Sequence, residues 1–174
     1  MTEQISSPSD RVAPGAITLR PATEADYAFM RQLYGLGRAE EMKHFPFDEQ
    51  QKELFLDQQF SAQYEHYRIH YPTCERNIIE HENQPIGRLW VDEWREQIRL
   101  VDIALMPDWQ RSGIGTSLVQ QVLARGAAAG KAVTIHVENF NPALRLYERL
   151  GFVKVDTNGV YFLMRWTPDS ARAE

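Results

Sequence analysis

The chain has a single cysteine, Cys74, in 174 residues. An intrachain disulfide is therefore excluded, and so is a cysteine-rich zinc cluster. A lone thiol fits a reducing compartment. No apolar run reaches 18 residues, so no segment reads as a membrane-spanning helix. The opening stretch, MTEQISSPSDRVAPGA, has no apolar centre of the secretory kind, and the cytoplasm is the expected location. Basic residues are in deficit, 19 Lys and Arg against 24 Asp and Glu, for a net charge of −5. That balance argues against a general nucleic-acid binder or an anionic-membrane binder. Internal repeats and low-complexity linkers are also missing, so nothing divides the chain into separate domains.

What is present is globular: 43% hydrophobic and 25% charged residues. A chain of this length buries about two-thirds of its unfolded surface, enough for one self-sufficient core. Residues 1–16, rich in Ser, Pro and charge, read as a flexible tail, as do residues 168–174. A single domain is expected over 17–167.

Hydrophobic periodicity outlines that domain. Ile17 to Arg20 alternates as a short strand. Thr23 and Asp26 have capping-box spacing ahead of a helix to Gly37. Asp48 and Gln51 open a second helix, whose Phe60, Tyr64, Tyr67 and Tyr71 recur at intervals of three or four before Pro72. Residues 76–81, 85–92 and 97–106 read as three strands of an antiparallel meander. Residues 116–129 form an amphipathic helix, closed by Gly130, and Ala132 to Val137 a buried strand laid parallel to the last of the three. Asn141 and Pro142 suggest a cap and first-turn proline for a helix to Leu150. Phe152–Val155 and Val160–Trp166 complete a hairpin around Asn158-Gly159. The expected class is α+β, with a mixed sheet of six to seven strands flanked by helices.

The richest segment is Met106-Pro-Asp-Trp-Gln-Arg-Ser-Gly-Ile-Gly-Thr116, where a strand ends and a helix begins. A helix start offers unpaired N–H groups and a positive dipole end, which together bind phosphate. Gly113 and Gly115 remove side chains where a ligand would approach, and Arg111 adds a cation. The nucleoside-triphosphate loop requires a lysine absent here, and the dinucleotide fingerprint a third glycine absent here. A glycine-softened turn without any ligand is the competing reading.

Gln110-Arg111-Ser112-Gly113-Ile114-Gly115 resembles the loop of the GCN5-related N-acetyltransferase superfamily that wraps the pyrophosphate of acetyl-coenzyme A. Asn139-Phe-Asn-Pro-Ala-Leu-Arg-Leu-Tyr-Glu-Arg-Leu-Gly-Phe152 is similar to its second hallmark, an Asn ahead of a helix carrying a Tyr. The order of elements fits from Ile17 to Trp166, with residues 31–75 similar only in outline. The resemblance implies the acyl-coenzyme A N-acyltransferase fold and acetyl-coenzyme A as donor, without a metal. It implies that backbone groups of Leu105 and Met106 hold the pantetheine arm, and that an N–H at this strand end polarises the thioester. Residues Gln110 to Thr116 would hold the pyrophosphate, and Asn139 or Asn141 the coenzyme arm. Tyr147 would protonate the departing thiolate. A family β-bulge in the strand before the loop would open the splay, at a position the motif does not specify.

The general base is open. Asp102 lies on a strand where alternation sets it opposite Val101 and Ile103; a carboxylate there either accepts the amine's proton or pairs with Arg20 or Arg88. Glu138, Asp92, Glu93 and a water chain are the alternatives. His66 and His70 have zinc-compatible spacing without the HExxH glutamate. The implied reaction is transfer of acetyl to a primary amine. Succinyl or another acyl group, and a coenzyme-binding sensor without catalysis, are the other readings. The acceptor is expected to be a small-molecule amine, with a protein lysine or N-terminus as the alternative. The exposed-looking aromatics Trp94 and Tyr161 suggest a homodimer over a monomer.

Overall fold

The computed structural model describes residues 17–169. The tail expected at 1–16, and the one at 168–174 beyond its first two residues, lie outside the described residues. Strand β1 (Ile17–Pro21) leads through a capped turn at Thr23 to α1 (Tyr27–Gly37), α2 (Ala39–Met42) and the long α3 (Glu49–His70). Strands β2 (Glu75–His81), β3 (Gln84–Glu93) and β4 (Gln97–Leu105) follow. Then come α4 (Ile114–Ala129), β5 (Ala132–Glu138), α5 (Leu144–Arg149), β6 (Val153–Asn158) and β7 (Tyr161–Trp166). The strands form one seven-stranded sheet in the order β1-β2-β3-β4-β5-β7-β6. β2, β3 and β4 are the expected antiparallel meander, and β4 and β5 are parallel. α4 supplies the crossover that a parallel pair requires.

Each sheet face carries its own core. Ile79, Leu89, Ile98, Leu100, Val133 and Val137 pack with Leu118, Val119 and Val122 of α4 and Tyr147 of α5. On the opposite face Ile78 and Trp90 pack with Met30 of α1 and Phe60 of α3. Neighbours such as Ile78 and Ile79 divide between the two cores because side chains alternate along a strand. Each full burial of this kind contributes about 1.5–3 kcal/mol. β3 and β4 approach so closely at Gly87 that a Cβ there would lie 2.3 Å from the Ala104 carbonyl.

Four expectations need correction. The helix after the loop begins at Ile114, not at Thr116. The helix carrying Tyr147 begins at Leu144, not at Pro142. Asn141 does accept a hydrogen bond, from the Ala143 N–H at 2.9 Å, but it closes a turn ahead of the helix. The strand after Gly151 extends to Asn158. Finally, Val101 and Asp102 do not lie on opposite faces. Pairing slips by one residue between Trp90/Val91 and Asp102/Leu100, which makes Val101 an extra residue in β4. Val101 therefore packs with the α1–α3 core, and Asp102 meets Arg88 on that same face.

Candidate active site

The bulge at Val101 determines which backbone groups of β4 are free. The Met106 N–H donates to the Ile86 carbonyl at 2.8 Å, so Met106 faces β3. Backbone groups of an antiparallel strand alternate in direction. Those of Ala104 and Asp102 therefore also turn to β3, whereas those of Ile103 and Leu105 turn toward β5. The β4–β5 ladder, however, ends at Leu100 opposite Ile135. Beyond it the two strands splay, and Ile103 and Leu105 direct backbone groups into the gap. The Leu105 carbonyl accepts from Gln110 Nε2 at 3.0 Å, which leaves its N–H toward the gap. Of the two residues expected to hold an extended amide arm, Leu105 has the free backbone and the Met106 N–H is committed to the sheet.

The loop after β4 closes the mouth of this gap. A 3-10 turn spans Pro107–Trp109, and Ser112 Oγ donates to the Trp109 carbonyl at 2.6 Å. Arg111 (φ 59°) and Gly113 (φ 87°) are left-handed, a backbone that lines N–H groups along a concave surface. α4 starts at Ile114, and the first inward bond is from Ser117 N–H to the Gly113 carbonyl at 3.0 Å. The N–H groups of Ile114, Gly115 and Thr116 thus point out of the helix start unpaired. A Cβ at Gly113 would meet nothing within 4 Å, so the space in front is open. Ile114 is buried and Arg111 is exposed over the loop.

Tyr147 is buried at 4% exposure, edge-on to Phe152 with ring centroids 5.6 Å apart. Burial, reinforced by the Asp102 carboxylate, pushes its phenol well above the ordinary value near 10. Asp102 Oδ2 lies 2.5 Å from Arg88 Nε, an ion pair not aligned as a hydrogen bond. Arg88, only 3% exposed, also donates to Gln63 Oε1 and stacks over Trp90. Glu138, at the end of β5, lies 3.5 Å from Arg38 Nη2 and accepts from the Tyr161 hydroxyl at 3.4 Å. The Asn139 N–H is spent on the Val160 carbonyl and its side chain is exposed. The other acids weighed for proton transfer are engaged elsewhere: Asp92 is buried and accepts from Thr73 Oγ1, and Glu93 is held by Arg125 and Lys131.

Sequence reasoning offered Arg88 as a partner for Asp102, as found, but missed Arg38 and Arg99. Arg38 holds Glu138, Arg88 holds Asp102, and Arg99 joins β4 to β5 through Thr134 and His136. The Arg38 and Arg99 pairings bridge 35 or more residues, and no local spacing announces them. His66 and His70 stack on α3, their ring centroids 4.2 Å apart. Among the described residues no group of three or more His, Cys, Asp or Glu could hold a metal ion. No helix among them is long and apolar enough to cross a membrane.

A mixed sheet splayed between two parallel strands, with a helix start at the mouth of the gap, defines the acyl-coenzyme A acyltransferase class of folds. The model of the acetyltransferase (GNAT) family matches residues 38–152, more than half of the chain. The protein belongs to that family. Its fold is similar to that of PaiA N-acetyltransferase from Thermoplasma acidophilum, solved in complex with coenzyme A. That match has a TM-score of 0.66 at 17% identity and covers 87% of this chain and 98% of the other. It is also similar to spermidine N-acetyltransferase from Vibrio cholerae, solved with coenzyme A and spermine. There the TM-score is 0.56 at 23% identity, over 87% and 94% of the two chains. Among curated relatives, Cysteine-rich protein 2-binding protein of Mus musculus is 41% identical over 46 residues. That stretch is 26% of this chain and 6% of the relative. UPF0157 protein YqkA of Bacillus subtilis is 32% identical over 72 residues, 41% of this chain and 21% of the relative. The chain thus spans only a small part of the curated relatives it matches.

Proposed function

We propose that the protein is an acetyl-coenzyme A dependent N-acetyltransferase that moves the acetyl group to a primary amine by direct attack on the thioester. The observation that carries this reading is the free backbone of Ile103 and Leu105 in a gap whose mouth is the unpaired start of α4. The donor's pantetheine arm, with its two amides, adds to β4 in place of a strand. Its pyrophosphate lies against the N–H groups of 114–116, with Gln110, Arg111, Ser112 and Gly113 around it. An N–H of β4 in the gap stabilises the oxyanion as the tetrahedral intermediate forms.

In the reaction the amine nitrogen bonds to the acetyl carbon and the carbon–sulfur bond breaks. The proton leaving the amine passes to Asp102, directly or through water, and Tyr147 gives its proton to the departing sulfur. Glu138, on the acceptor face, attracts the incoming ammonium. The acceptor is a small-molecule amine, and two copies of the chain form a weak dimer.

Calorimetry with coenzyme A tests the donor site. The Gly113→Val variant forces a β-branched residue into a left-handed backbone and fills the open space before the helix start. Its affinity should fall by about 10-fold or more, as expected for losing about 1.4 kcal/mol of binding. Equal binding by the variant and the parent refutes the loop assignment.

A further inference from the structure

The acceptor face carries a buried cation that makes no direct ion pair. Arg99 is 7% exposed, and no carboxylate lies within 4 Å of it among the described residues. Its partners are neutral: Thr134 Oγ1 accepts from Nε at 2.8 Å, the Tyr71 hydroxyl from Nη1 at 3.4 Å, and His136 Nδ1 lies 2.9 Å from Nη1. Its guanidinium also stacks on Trp94, 5.0 Å from the ring centroid. The buried Asp92 is directly across the β3–β4 ladder, yet it bonds Thr73, and Arg99 reaches the other way.

That direction leads to the gap. His136 is the first residue of β5 beyond the last β4–β5 pair, Leu100 with Ile135. Its alternation with Thr134 puts it on the α1–α3 face, the face of Asp102 and Glu138. Arg99 donates to Nδ1, so the proton of the neutral ring is on Nε2 and the imidazole presents a donor. Burial and Arg99 together lower the pKa of His136, against a smaller opposing effect of Asp156, which favours that neutral ring. His136 thus has no lone pair with which to take a proton from the amine. Arg165, exposed and directly across from Thr134 on β7, adds a second cation without a carboxylate within 4 Å among the described residues.

We infer that the acceptor is an amino acid or another small amine bearing a carboxylate, which Arg99 receives with His136 while the amine faces the thioester. A guanidinium fork matches a carboxylate in shape and charge. A buried guanidinium bonded only to neutral groups is costly, and such a substrate supplies the direct ion pair on binding. Asp102 is held by Arg88 and Glu138 by Arg38, so neither repels it as a bare anion, and the Asp156 carboxylate near His136 is exposed to solvent that screens it. This inference rests on the acetyltransferase reading above.

The test compares each amino acid with its decarboxylated counterpart: L-tyrosine with tyramine, L-lysine with cadaverine. Thiol release from acetyl-coenzyme A is followed with the parent protein, Arg99→Gln and Arg99→Lys. The parent should prefer the carboxylate-bearing member of at least one pair by roughly 10²-fold in kcat/KM, as a site built to bind a polar group rejects the analogue lacking it. In Arg99→Gln that ratio should shrink by about 30-fold or more, through KM, and Arg99→Lys should recover part of it. Circular dichroism and coenzyme A affinity check that each variant is folded. Should Arg99→Gln fail to fold, desamino carboxylates such as 4-hydroxyphenylpropionate serve as competitive inhibitors of the parent, set against the corresponding neutral alcohols. No preference for the carboxylate in either format refutes the inference. Efficient acetylation of tyramine or cadaverine alone overturns it while leaving the acetyltransferase reading intact. Coenzyme A binding without thiol release for any amine overturns both.

Discussion

Replacing Tyr147 by Phe removes one oxygen from a ring that is 4% exposed and packed on Phe152. The ring's apolar contacts survive the change. Its hydroxyl makes no hydrogen bond to another described residue, so the loss to stability should stay within about 1 kcal/mol. The loss to chemistry should be much larger. If the phenol protonates the leaving thiolate, the chemical step slows by roughly 10²–10⁴-fold. The raised pKa gives a second signature. Burial and Asp102 hold the phenol protonated well past its ordinary value near 10, so Tyr147 stays a competent acid throughout the neutral and mildly alkaline range. In the parent, the rate of acetyl transfer should therefore not fall through Tyr147 between pH 7 and about pH 10. The assay must be a single turnover of bound acetyl-coenzyme A, because slow product release would mask a slower chemical step. A Phe variant that transfers acetyl at the parent rate, with intact coenzyme affinity, refutes the proton-donor role and leaves Tyr147 a packing residue.

Asp102→Asn should lower the single-turnover rate by roughly 10²-fold or more, and Glu138→Gln should chiefly raise the KM of the amine. An unchanged rate in Asp102→Asn moves proton removal to water or to Glu138. Acid stability follows from the cluster at the other end of the sheet, where Arg20 bonds both carboxylate oxygens of Asp26 at 2.8 Å and Glu80 at 2.6 Å. Mainly through Arg20, the Asp26 carboxyl falls from 3.8 to about 2 in the folded protein. The folded pKa is depressed, so this stabilisation is full above about pH 5 and is lost as pH falls toward 2. Solvent reaches a third of the Arg20 side chain, which reduces the contribution to ~1–2 kcal/mol. Chemical denaturation at pH 6 and pH 3 should show that loss, and Asp26→Asn should abolish most of it; equal pH dependence in the variant contradicts the assignment.

The parts of this molecule legible in the sequence are those whose physics is local. Gly113 marks the start of α4 because its left-handed backbone and open approach need no side chain there, and both requirements lie within a few residues. The meander was legible for the same reason, since its strands join through tight turns at Glu82-Asn83 and Arg95-Glu96. The bulge at Val101 was not, because it exists only as a mismatch between β4 and the pairing of Trp90 and Val91 in β3. A period-two reading of Leu100 to Leu105 consequently set Val101 and Asp102 on opposite faces. The same slip turns the backbone of Ile103 and Leu105 into the gap, so one unreadable residue both frees the donor's strand and brings Asp102 to Arg88. The acceptor face was illegible for a related reason. Arg99 meets His136 at a separation of 37 residues, and Arg38 meets Glu138 across 100. Under the proposed function, donor recognition rests on backbone and a local turn, whereas acceptor choice rests on side chains that long-range packing assembles. Substitutions that alter acceptor choice should therefore fall at Arg38, Arg88, Arg99 and His136, far from the loop motif, and should leave coenzyme affinity largely untouched.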